Sequence, residues 1–161
     1  MAVTVNLKVL ESMNYFWEAT KSREKVGEQY ITSIAEMPEM APLYDEEFTK
    51  ESVRKLLSGI SNREMFQWNR KEGRFWNNNM WVFEEYGLMQ ALLAKVKVLN
   101  LGALAAEGKD LEVAIIPGHV EPFYRAGNTL TLNYFKLRLA EDEETLLFDG
   151  EPLEAFIAAH L

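Results

Sequence analysis

The sequence predicts an α+β fold. A layer of about five helices occupies roughly residues 1–108, and a small antiparallel sheet of three to four strands, closed by a short C-terminal helix, occupies roughly 109–161. Three observations carry this reading. Apolar residues recur every three to four positions through the first part of the chain, they alternate or run unbroken between turn signals from Glu112 onward, and no repeat or low-complexity tract divides the two regimes. A single domain spanning 1–161 is therefore expected.

Leu7, Leu10, Asn14 and Trp17, flanked by Val9, Met13 and Phe16, share a broad face and predict a first helix from about Val5 to Thr20. Ser22 is placed to cap a second helix through Val26, Tyr30, Ile31 and Ile34, ending near Met37 before Pro38. The proline- and acid-bearing stretch from Pro38 to Glu47 reads as a loop. Thr49 caps a third helix, with Phe48 and Val53 in staple positions and Val53, Leu56, Leu57 and Ile60 on its buried face.

Ser61-Asn62-Arg63-Glu64 has the form of a capping box and predicts a fourth helix there, ended by Gly73 and the run Asn77-Asn78-Asn79. A longer helix follows from about Asn79 to Lys97 and onward, with Gly102 a weak point and Gly108 the stop. The alternation from Lys95 to Leu99 leaves residues 95–106 open to a strand reading as well.

Glu112 to Ile116 reads as a buried strand stopped by Pro117-Gly118. Beyond Asn128, Leu130, Leu132 and Tyr134 lie in one phase and Phe135, Leu137 and Leu139 in the other, which a bulge near Tyr134 would reconcile. Glu141 to Glu144 is a charged turn, Leu146 to Phe148 a returning strand, Asp149-Gly150 a tight turn, and Pro152 opens the closing helix through Phe156 and Ile157.

The segment from Ile60 to Leu101 holds three of the four tryptophans together with Met65, Phe66, Phe75, Phe83 and Tyr86. Rings of this size dominate core and interface energetics, so the segment is expected to be the hub of the interior, or else to form a pocket or partner surface.

Composition narrows the function classes. With no cysteine, disulfides, thiolate chemistry and cysteine-built zinc sites are excluded, and a reducing cytoplasmic location is expected. The net charge is −8, and it is uneven: residues 1–80 hold 11 Lys and Arg against 12 Asp and Glu, residues 81–161 hold 6 against 13. Such an acidic half disfavours nucleic acid or an anionic membrane as its partner. No apolar run approaches the roughly 20 residues of a membrane span, and no signal peptide is visible.

Candidate sites follow from chemistry-bearing clusters. Arg63, Gln67, Arg70 and Arg74 fall on one face of the predicted fourth helix beside Trp68 and Trp76, a pattern that a single-strand nucleic-acid groove would use and an ordinary solvated face also shows. Asn77, Asn78 and Asn79, between Trp76 and Trp81, suit either a turn or the wall of a small-molecule pocket. One of Glu84 and Glu85 would point toward apolar surroundings and have its pKa raised, if the helix is well buried. The loop bearing His119, Glu121, Tyr124 and Arg125 offers a base, an orienting carboxylate, a hydroxyl and an anion clamp; a second histidine, His160, stands near the chain's end.

Familiar signatures fail. Gly102 to Asp110 has the wrong glycine spacing for a phosphate-binding loop, and Glu141 to Glu144 lacks the oxygen spacing of a calcium loop. Neither a cofactor nor a metal site is predicted. The sequence assigns no reaction. It is read first as a small, non-catalytic binding or regulatory protein that self-associates, as a homodimer or with a protein partner, through aromatic-rich surface. The second reading is a small-ligand binder or enzyme whose cleft lies between Trp68–Trp81, with Trp76, Asn78 and Glu84, and the loop from His119 to Arg125.

Overall fold

A computed structural model describes residues 3–65, 67–104 and 110–161. Strand β1 (Val3–Asn6) leads into helices α1 (Lys8–Lys21) and α2 (Glu28–Ala35). A 3₁₀ turn (Pro38–Leu43) is followed by α3 (Lys50–Asn62), α4 (Arg70–Glu84) and α5 (Tyr86–Lys97). The second part contributes β2 (Leu111–Ile116), β3 (Phe123–Ala126), β4 (Thr129–Asn133), β5 (Leu137–Leu139), β6 (Leu146–Phe148), β7 (Glu151–Pro152) and α6 (Leu153–Ala159). The fold is α+β: among the described residues five α-helices lie between β1 and the other strands of two sheets, and a short helix closes the chain.

The larger sheet is mixed and has the order β1-β2-β4-β3. β2 runs parallel to both β1 (Val3↔Leu111) and β4 (Val113↔Leu130), and only the β3–β4 hairpin is antiparallel. The smaller sheet, β5-β6-β7, is antiparallel throughout. An all-antiparallel sheet is thus corrected for the larger unit, because β4 returns beside β2 in parallel with β3 in the connection, and a further parallel strand comes from the N-terminal residues. The Val3–Asn6 strand is too short to be told from the start of an amphipathic helix, and its partner lies more than 100 residues away. A parallel pair needs a crossover, and here every helix from α1 to α5 is in it.

Helix boundaries moved where a cap was misassigned. Thr49 caps α3 as expected, accepting from the Ser52 amide while the Ser52 hydroxyl takes the Thr49 N–H. Ser61 and Asn62 do not start a helix; they end α3, and Arg63 closes it in left-handed geometry. The operative capping box is Asn69 with Glu72, eight residues later, and it starts α4. Asn77–Asn79 do not break α4, which runs on to Glu84 and gives way to α5 only at Glu85. Continuation of α5 past Lys97 is also corrected: that helix ends there, and the proposed stop at Gly108 lies outside the described residues. The second helix starts at Glu28 rather than near Ser22. A 3₁₀ turn over Tyr134–Lys136 does the work of the expected bulge, switching the buried phase between β4 and β5. The Asp149-Gly150 turn has positive φ at both residues (49° and 90°), as a two-residue hairpin loop requires.

The hub is interior in part: Trp68, Met80, Trp81, Phe83 and Tyr86 are half-buried, Met65 and Leu88 are exposed, and Phe66 lies outside the described residues. Phe75, Trp76, Val82, Met89, Leu92 and Leu93 are buried and belong to one continuous core that also takes in Trp17, Leu132 and Ile157. Its centre is a knot that no local pattern announces. The Trp17 indole stacks on Tyr134 at 5.8 Å and donates from Nε1 to Asn79 Oδ1 at 2.9 Å, while Tyr134 donates its hydroxyl to the Met89 carbonyl at 3.1 Å. Four elements are pinned by two buried rings, each with its polar atom satisfied. Among the described residues no helix is long and apolar enough to cross a membrane.

Candidate functional site

The cleft expected between α4 and the His119–Arg125 loop is filled by hydrogen bonds. Asn78 Nδ2 donates to the carbonyls of Gly118 (3.1 Å) and His119 (3.3 Å), holding the loop against α4. From the other side Asn133 accepts from the Gly118 and Phe135 amides and donates to the His119 and Glu121 carbonyls. A Cβ on Gly118 would stand 2.8 Å from Asn133 Cγ, so glycine is the residue that fits under this clamp.

His119 itself is buried. Its Nδ1 accepts from the Val120 amide at 2.7 Å, which places the proton on Nε2, and Nε2 donates to the Leu43 carbonyl at 3.2 Å. Burial lowers its pKa below the ordinary imidazole value, and Phe48 packs edge-on against the ring. A neutral imidazole with both nitrogens occupied has neither lone pair nor proton to offer a substrate.

The other expected groups do not converge. Glu121 is exposed; Tyr124 is half-buried against the Pro38–Leu43 turn in a separate cavity of about 330 Å³, where burial pushes its hydroxyl up to about 12. Arg125 is exposed and donates to the carbonyls of Gly127 and His160, tying the β3–β4 hairpin to the end of α6. Trp68 leans on Trp76 with ring centroids 4.9 Å apart, and Trp81 lies under the Arg138 guanidinium at 4.2 Å. Glu84 and Glu85 both face solvent, which removes the buried carboxylate. Arg63, Gln67, Arg70 and Arg74 lose their common helical face, since α4 begins only at Arg70. Among the described residues no three His, Asp or Glu side chains group to hold a metal ion.

A different site is built where α1 and α3 end beside α4. Ile60, Met65, Trp76, Met80 and Phe83 line a cavity of about 500 Å³. Three cations, Lys21, Arg23 and Arg63, complete its lining with Thr20, and among the described residues no carboxylate lines it. Of the expected site residues Trp76, buried to 8% exposure, lines this cavity, and so does Arg63 from the expected basic face. Trp68, stacked on it, does not line the cavity.

Both helices reach this cavity through the same closing motif. At the end of α1 the Glu24 amide donates to the Ala19 carbonyl and the Arg23 amide to Thr20; at the end of α3 the Glu64 amide donates to Gly59 and the Arg63 amide to Ile60. These are Schellman ends, whose left-handed position glycine normally takes. Here it is Arg23 (φ 64°) and Arg63 (φ 58°). The Lys21 ammonium is drawn over the Tyr86 ring at 5.3 Å, whereas neither arginine has an ion-pair partner among the described residues. The buried hydroxyl of Thr20 makes no hydrogen bond among the described residues.

Sequence reasoning missed this site for a definable reason. Arg23 and Arg63 sit just past two helix ends, where a basic residue usually means no more than a favourable interaction with the helix dipole. Their convergence depends on how α1 and α3 lie beside α4, and the local sequence around Arg63 reads as a helix start although Arg63 closes α3. No protein-family model, curated protein or solved structure matches this chain.

Proposed function

We propose that this protein binds a small molecule with an apolar body in the cavity between the C-terminal ends of α1 and α3 and the middle of α4. The observation that supports the reading is the cavity itself: about 500 Å³, walled by Trp76, Met80, Phe83, Ile60 and Met65. Its size lies within the range of about 300–1,000 Å³ typical of ligand sites, and an aromatic and aliphatic lining with a few convergent polar groups is the usual composition of such sites. Nothing arranged for acid–base or nucleophilic chemistry lines it, so the reading is of binding rather than turnover. Met65, Leu88 and Val98 of the aromatic segment remain exposed, so self-association through that segment stands as the second reading, checked by sedimentation.

The test uses N-phenyl-1-naphthylamine, a neutral apolar fluorophore. Saturable fluorescence enhancement is expected, with a rise in melting temperature by mass action and quenching of tryptophan emission through Trp76. Met80→Trp, which fills the cavity, should abolish the enhancement while the protein stays folded by circular dichroism. Non-saturable binding, or binding untouched by Met80→Trp, overturns the proposal.

A further inference from the structure

We infer that the ligand of this cavity carries a carboxylate head on its apolar body, and that Arg23 and Arg63 receive the head. The inference rests on the ligand-binding reading above and specifies its chemistry.

Charge is the first argument. In a chain of net charge −8, with 25 acids to 17 cations, three cations and no acid line this one cavity among the described residues. Cations gathered beside apolar walls are the arrangement that an anionic head on an apolar body would meet, although Glu24 and Glu64 follow the two arginines in the chain. Lys21 is engaged by Tyr86, which leaves the two guanidiniums, neither ion-paired among the described residues, to meet an anion. A planar guanidinium fork matches the two oxygens of a carboxylate and holds them bidentately.

Backbone geometry is the second, independent argument. The helix dipole explains a cation near a helix end, but it does not explain a side chain in the left-handed position, because the same charge one turn earlier would gain as much without strain. Two of the four left-handed non-glycine residues among the described residues are Arg23 and Arg63, and both line the same cavity. Strain of this kind persists where the rest of the structure, or function, demands that side chain at that point. Thr20, one helical turn before Arg23, adds a shielded hydroxyl without a partner beside the same space.

The experiment compares decanoate with decanol, which share a chain and differ in the charge of the head, by displacement of N-phenyl-1-naphthylamine. Decanoate should bind about tenfold more tightly than decanol, as expected for hydrogen bonds to a charged group. Arg23→Gly and Arg63→Gly should each weaken decanoate about tenfold and leave decanol unchanged. Each should also raise the melting temperature by about 3 °C, because glycine relieves the left-handed backbone.

That opposition, lower affinity with higher stability, is not what a merely structural arginine would show. Equal affinity for decanoate and decanol overturns the carboxylate assignment and leaves the cavity reading standing. Tighter decanoate binding that ignores both glycine variants overturns the assignment to these arginines. If neither decanoate, decanol nor the fluorophore binds, both readings fall together.

Discussion

The His119–Arg125 loop and the cavity at the ends of α1 and α3 hold the same kinds of groups in opposite condition. In the loop, the imidazole, the Asn78 and Asn133 amides and the Arg125 guanidinium all end on carbonyls or amides of the protein's own backbone. At the cavity, two exposed guanidiniums on left-handed backbone stand without an ion-pair partner, and the Thr20 hydroxyl without a hydrogen bond, among the described residues. A chemically rich loop can therefore be tied into the scaffold, while two arginines past helix ends keep their side chains available, which is what the proposed site relies on. What separates them is whether each polar group's partners are already inside the fold.

If the loop and its neighbours are scaffold, breaking them should cost stability and leave cavity binding alone. The largest effect is expected at the core knot: Asn79→Ala removes the acceptor of the buried Trp17 indole and should cost about 3 kcal/mol in urea unfolding, with fluorophore affinity unchanged well below the midpoint. An effect under about 1 kcal/mol would mean that the Trp17 N–H finds another acceptor, and that the knot is not what pins α1 to α4.

His119→Ala comes next. It deletes a buried ring and leaves the Leu43 carbonyl without its donor, for a loss of about 2 kcal/mol. A loss of ligand affinity larger than the stability change would restore the loop as part of the site.

The same residue predicts a pH dependence. Its native pKa is lowered by burial below the ordinary 6.5, so beneath about pH 6.5 the unfolded chain takes up a proton that the native state refuses. Stability is full above that value and falls as pH drops toward the native pKa, with a slope of at most about 1.4 kcal/mol per unit for one proton. His119→Gln should flatten this part of the profile. The Asp142 carboxyl, held down to about 2 by Thr145 and the amides around it, loses its contribution only in stronger acid. A wild-type profile already flat between pH 6.5 and 5 would contradict the buried neutral imidazole.

Arg125→Ala should have the smallest consequence, about 0.5–1 kcal/mol, because its bonds to Gly127 and His160 are exposed. Increased hydrogen exchange confined to α6 would be its signature. Weakened decanoate binding would instead identify Arg125 as the anion clamp that its sequence context suggested.

Local chemistry determined a good part of this protein by itself. Thr49 capped α3, the Asp149-Gly150 pair made its turn, Leu146–Phe148 returned as a strand, and the α+β class followed from a change of hydrophobic period. These outcomes depend on residues a few positions apart, so the sequence displays their partners directly. The tertiary structure alone decided that Val3–Asn6 would be a parallel strand, that Asn79 would sit inside a helix bonded to Trp17, and that Arg23 and Arg63 would face one cavity. Each of those needs a partner dozens of residues distant, and the competing local choices (helix start, turn, capping box) are individually as favourable as the ones adopted. Burial of the rings around Trp17 and Tyr134 decides among them, because it is worth more than any single cap or turn.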